Sequence, residues 1–158
     1  MKGTDFDELA FFRAIAGSGA RALLIGRRAL VVLGVPVLTA DYDFWLHIDD
    51  IERFNDAVAS FDLAPTHRAE DARRRGRYAL ENDEHVDVLV ARAVPTVDGQ
   101  RVAFDDVWIG RRAVPLENDL AVSLPSHADL ILTKRFAARP KDLEDIRLLH
   151  LIGPEGPS

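Results

Sequence analysis

Arg21 to Ile48 reads RALLIGRRALVVLGVPVLTADYDFWLHI, and the architecture turns on how this stretch divides. Arg21 to Ile25 is a short apolar run that predicts a buried strand. Gly26 breaks it, and the apolar segment Arg28 to Leu33, closed by Gly34, predicts a short helix. Thr39 to Ile48 then alternates with period two. Asp41, Asp43, Trp45 and His47 fall on one face, and Tyr42, Phe44, Leu46 and Ile48 on the other.

Working outward, Asp49 and Asp50 open a predicted helix from Ile51 to Phe61, with Phe54, Val58 and Phe61 inward. Two strands follow, Arg77 to Leu80 and His85 to Ala91, around a turn on Glu81, Asn82 and Asp83. Short β segments are expected near Val107 to Ile109, Arg112 to Pro115 and Leu120 to Ser123, after a loop at Pro95 to Gly99. Upstream, Asp5 to Ala16 carries apolar residues near a helical period, with Thr4 as its cap. Two helices close the chain. One follows Ser126, with Asp129 at capping-box spacing, and the other opens on Pro140, with Asp142, Glu144 and Asp145 near its positive end. The expectation is an α/β (α+β) fold: a small mixed sheet flanked by helices, one domain over residues 1–152, and a frayed tail over 153–158.

Composition narrows the function. The chain has 158 residues, 47% of them apolar, which suits one globular core. Its net charge of −6 argues against a protein that grips duplex DNA by neutralising phosphates. With no cysteine, disulfides, thiol nucleophiles and cysteine-bound zinc are excluded. The longest apolar stretch, Ala29 to Leu38, holds ten residues against the about 20 a membrane span needs. The N-terminus lacks a basic start followed by an apolar block, so a cytoplasmic location is expected. Arg68, Arg73, Arg74, Arg75 and Arg77 gather within ten positions and read as a solvated loop or strand edge, or as a patch for a polyanion.

The aspartates carry the chemistry. Asp41 and Asp43, two apart on a strand, share a face about 6.5 Å apart and can reach one or two metal ions. Asp87 interrupts the apolar run Val86 to Val90, and a carboxylate there needs a cation, hydrogen-bond donors or solvent at a strand edge. A neighbouring strand that sets Asp87 beside the pair would complete a three-carboxylate cup for magnesium and nucleotide phosphates. Backbone N–H groups at the Gly26 turn can cradle phosphate oxygens.

In order, LLIGRRAL, TADYDFWL and VDVLV resemble the nucleotidyltransferase superfamily of the minimal, DNA polymerase β-like type. SHADLILTKRFAARPKDLEDIRLL is similar to the C-terminal helices of the bacterial branch that includes abortive-infection toxins. The resemblance implies transfer of a nucleoside monophosphate from an NTP to a hydroxyl of RNA, a protein or a small molecule. It also implies two Mg²⁺ ions on Asp41, Asp43 and Asp87, with Asp87 helping to activate the acceptor hydroxyl. Gly26, Arg27, Thr39, Lys134, Arg139 and Asp142 would form the nucleotide site, Lys134 pairing with the triphosphate. A cognate antitoxin protein is an implied partner. Two positions depart from the family pattern. Arg27 stands where a small residue is usual, and would either contact the triphosphate or plug its site; Val37 stands where many relatives have arginine. They motivate the alternative of a catalytically degenerate domain with a binding or regulatory role.

Overall fold

The computed structural model describes residues 6–96, 98–135 and 139–154. Its centre is a five-stranded mixed sheet built from β1 (Ala22–Ile25), β2 (Asp41–Leu46), β3 (Ala64–Pro65), β4 (Arg77–Glu81) and β5 (His85–Leu89). The order is β1-β2-β5-β4-β3, with β2 and β5 parallel and every other pairing antiparallel. The parallel pair is possible because the chain leaves β2 through α3 (Ile51–Val58) and crosses over before returning along β5.

The period-two reading of β2 sorts its side chains onto two cores. Tyr42, Phe44 and Leu46 join Val86, Val88, Tyr78 and Leu80 in the larger core, closed by α1 (Glu8–Gly17) and α3 through Phe11, Phe12 and Phe54. On the opposite face Leu23 and Trp45 pack with Val94, Val102 and Phe104. These last come from the hairpin of β6 (Ala93–Pro95) and β7 (Arg101–Ala103) and from α5 (Phe104–Ile109). α2 (Gly26–Val32) follows β1 directly. A second hairpin, β8 (Arg112–Glu117) with β9 (Leu120–Leu124), falls where two β segments were expected. It leads into α6 (His127–Arg135) and α7 (Pro140–Ile152).

Several local expectations need correction. Val107 to Ile109 is helical, because Phe104, Val107 and Trp108 recur at helical spacing and Asp105 and Asp106 occupy the first turn. The arginine-rich segment holds a helix, α4 (Ala69–Arg75), where only a loop or strand edge was expected; Arg68 precedes it in irregular backbone and Arg77 opens β4. Glu70 and Asp71 lie in the first turn of α4, three arginines in its last, and Gly76 at φ 83° caps it. Asp7, not Thr4, caps α1, its Oδ1 accepting from Ala10 N at 3.0 Å, while Thr4 lies outside the described residues. Asp50 precedes α3 without capping it. Its carboxylate instead accepts from the Arg21 backbone N at 2.8 Å and from Arg21 Nε at 2.9 Å. Of the expected tail, Gly153 closes α7 and Pro154 O accepts from Arg112 Nη1 at 3.2 Å; residues 155–158 lie outside the described residues. Among the described residues no helix is long and apolar enough to cross a membrane.

Candidate active site

Strand register brings the acids together. Asp43 on β2 sits directly opposite Asp87 on the parallel neighbour β5, with Ile25 of β1 on its other side. Side chains on paired strands are about 5 Å apart, so the two carboxylates share one patch of the sheet. That patch floors a cavity of about 320 Å³. Gly26 lines it at one side, and Lys134, Arg139 and Asp142 face it from α6 and the start of α7.

Asp43 is crowded by negative charge. Burial, then the charges of Asp87 and Asp41, push its carboxyl up to about 6, and no hydrogen bond or ion pair engages it among the described residues. Asp87 is half exposed, and its Oδ1 lies 2.9 Å from His85 Nε2. Burial works against the His85 imidazolium, yet Asp87 and Glu81 hold the ring's pKa above its ordinary value. Asp41 does not line the cavity and is exposed. Among the described residues no group of three acid or imidazole side chains is placed to hold one ion, and of the three expected carboxylates Asp41 lies off the cavity while Asp43 and Asp87 line it. Those two fit Mg²⁺, which binds through one or two carboxylates and completes its shell with water and substrate phosphates.

The Gly26 turn is tight by necessity. Gly26 has φ 71°, and a Cβ there would stand 3.0 Å from Asp43 Cγ and against Asp43 Oδ2. Gly26→Ala is therefore expected to cost roughly 1–3 kcal/mol of stability and to displace the Asp43 carboxylate. Thermal unfolding and Mg–ATP titration check this; parental behaviour in both would show that the turn has room.

The basic residues do not all point as expected. Arg27 is absent from the cavity wall: its Nε lies 3.0 Å from Asp145 Oδ1 and its Nη1 donates to Leu38 O at 3.4 Å. It neither plugs the cavity nor faces it. Lys134 does face the cavity, is 5% exposed, and holds Asp145 Oδ2 at 3.1 Å. Burial pushes the Lys134 ammonium below its ordinary value, against the opposing charge of Asp145. Asp145, fully buried on α7, thus joins Arg27 of α2 to Lys134 of α6. Sequence reasoning saw in Asp145 only an acid near a helix start; its spacing of three from Asp142, one turn along the same face, was the available signal. Arg139 Nε pairs with Asp142 Oδ2 at 2.8 Å. Burial works to raise the Asp142 carboxyl, but Arg139 holds it below the ordinary carboxylate value. Thr39 is outside the cavity, and its Oγ1 accepts from Asp41 N at 3.2 Å at the start of β2.

No protein-family profile matches the sequence, and no curated protein does. Solved structures do match. A Thermotoga maritima protein assigned as a nucleotidyltransferase superposes with a TM-score of 0.58 at 13% identity, covering 89% of this chain and 88% of its own. The antibiotic-resistance factor ANT(2'')-Ia matches at 0.64 and 14% identity, over 92% of this chain and 82% of its own. The lincosamide antibiotic adenylyltransferase LnuA, bound to lincomycin, matches at 0.64 and 13% identity, over 95% of this chain and 100% of its own. At such identities what is shared is architecture, and by that architecture the chain has the nucleotidyltransferase fold.

Proposed function

We propose that the protein is a magnesium-dependent nucleotidyltransferase that moves a nucleoside monophosphate from an NTP to an acceptor hydroxyl. The observation that carries this is Asp43 beside Asp87 in register on parallel strands, under a cavity with a Gly26 turn on one side and Lys134 on another. Two of the proteins that share the fold are an antibiotic-resistance factor and an antibiotic adenylyltransferase, which supports transfer chemistry on this scaffold.

Asp43 and Asp87 would hold the metal, which supplies charge neutralisation at the phosphates and at the attacking and leaving oxygens. The Gly26 turn would receive phosphate oxygens on backbone N–H groups, and Lys134 would pair with the triphosphate. The acceptor oxygen forms a bond to the α-phosphorus as the bond to the β-phosphate oxygen breaks and pyrophosphate leaves. Asp87 Oδ2, free of the His85 contact, would ligate the metal and so help to activate the acceptor hydroxyl, whose proton leaves to solvent. A cytoplasmic toxin role with a cognate antitoxin is the finer part of this reading and rests on the sequence resemblance of residues 126–149 to the abortive-infection branch.

Incubation with α-³²P-labelled NTPs, Mg²⁺ and cell extract tests the proposal. Label transfer is expected from the parent and lost, together with its Mg²⁺ requirement, in Asp87→Asn. Equal labelling by parent and variant would refute it. The second reading, a binding domain without turnover, is favoured by the position of Asp41 outside the cavity. Mg–NTP binding without transfer to any acceptor would select it.

A further inference from the structure

Of the cations that line the cavity, Lys134 and Arg139 are engaged inside the protein and, among the described residues, Arg77 is not. Lys134 and Arg27 share Asp145, and Arg139 is paired with Asp142. Arg77 also lines the cavity, is exposed, and has no ion pair or side-chain hydrogen bond among the described residues. Its neighbours in sequence differ. Arg73 bonds Glu52 and Ile48 O, and Arg74 pairs with Asp71. Arg75 and Arg92, both exposed, have no such partner among the described residues. Backbone bonds bring them near Arg77, since Gly76 O accepts from Val90 N at 2.8 Å and from Ala91 N at 3.1 Å.

Position separates this group from the nucleotide wall. Arg77 lies opposite Leu89, two residues along β5 from Asp87 and on the same face. It stands on β4, beyond β5, about 10 Å across the sheet from β2 and farther still from the Gly26 turn. A triphosphate on Gly26 and Lys134 leaves the side of Asp87 toward β4 for the acceptor. We infer that Arg77, flanked by Arg75 and Arg92, forms the acceptor subsite and selects an acceptor carrying phosphate close to its reactive hydroxyl. The inference rests on the nucleotidyl-transfer reading of the same cleft. A guanidinium with no internal carboxylate offers its full fork to a phosphate, whereas a polyamine acceptor would meet an uncompensated like charge beside Asp87.

The test measures binding rather than turnover. A 5′-fluorescein-labelled single-stranded hexaribonucleotide is titrated by fluorescence anisotropy, ribose 5-phosphate is titrated as its competitor, and Mg–ATP is titrated separately by calorimetry. Arg77→Glu is expected to weaken at least one phosphate probe about tenfold or more. Arg77→Lys should recover most of the loss, and Mg–ATP affinity should stay within twofold. Arg77 is exposed, and circular dichroism establishes that both variants fold. Weakening of the oligonucleotide alone by Arg75→Glu and Arg92→Glu identifies a strand as the occupant. Dependence of both probes on Arg77 alone identifies a small phosphorylated acceptor. Absence of binding by the parent, unchanged affinity in Arg77→Glu, or parallel loss of Mg–ATP overturns the acceptor subsite. A parent that never binds Mg–ATP, yet loses phosphate probes on Arg77→Glu, sinks the transferase reading and leaves the anion subsite standing.

Discussion

Asp43→Asn is expected to lower nucleotidyl transfer by about a thousandfold or more while making the metal-free protein more stable, and the two effects have one cause. The carboxylate sits in a partly buried patch opposite Asp87 with no cation bonded to it, so the fold carries an electrostatic cost that the charges of Lys141 and Lys134 offset only in part and that a bound ion would relieve. Its pKa rises from 3.8 to about 6 on folding. The native state therefore binds the proton more tightly than the unfolded chain between these values. Stability of the metal-free parent falls as pH rises through that window and stays reduced above it. Two pH units correspond to roughly 2–3 kcal/mol, the upper bound on what asparagine recovers at pH 7.5. Thermal unfolding in EDTA should show the variant above the parent at pH 7.5, with the gap closing toward pH 4. Added Mg²⁺ should raise the parent's midpoint and leave the variant's nearly unchanged. Identical metal-free midpoints at pH 7.5 would show that Asp43 is not strained by its surroundings, and the cation-site assignment would lose its physical basis.

The elements legible in the sequence were those whose periodicity is not interrupted by function. β1, the Gly26 break, α2 and β2 follow from apolar runs and alternation, and the two faces of β2 sort onto two cores as the pattern required. Helix α4 was hidden because a seven-residue helix with one buried residue, Ala72, leaves almost no apolar signature; its evidence is the charge order, acids first and arginines last. Helix α5 was hidden because six residues containing Phe, Val, Trp and Ile look equally like a strand. The site divides the same way. Asp43 and Asp87 could be named individually, but their pairing depends on the parallel register of β2 and β5, which no local pattern encodes. The orientation of Arg27 toward Asp145 depends on a contact across 118 positions, and the isolation of Arg77 on which carboxylates happen to lie near it.

Asp145→Asn should be the most damaging single change outside the two in-register aspartates. Asp145 is fully buried and carries the charge that offsets both Arg27 and Lys134, so the substitution leaves Lys134 a 5%-exposed ammonium with no carboxylate bonded to it. Breaking a buried pair from one side costs about 3–5 kcal/mol, roughly 10 °C or more for a domain of this size. Burial already depresses the Lys134 pKa against the pull of Asp145, so removing that pull drives Lys134 toward the neutral amine and weakens Mg–ATP binding most at high pH. Asp142 would not take over, because its carboxylate is held by Arg139 through both Nε and the backbone N. A cycle with Lys134→Met separates the pair from its parts. Lys134→Met alone leaves Asp145 on Arg27, which is 26% exposed and can reach water, so it should cost less than Asp145→Asn. The double variant no longer buries an unpaired ammonium and should be more stable than Asp145→Asn alone. Additive losses in urea unfolding would mean that the 3.1 Å contact contributes no coupling. Asp145 would then be an ordinary packed side chain, and the link between the Gly26 turn and the closing helices would have to lie elsewhere.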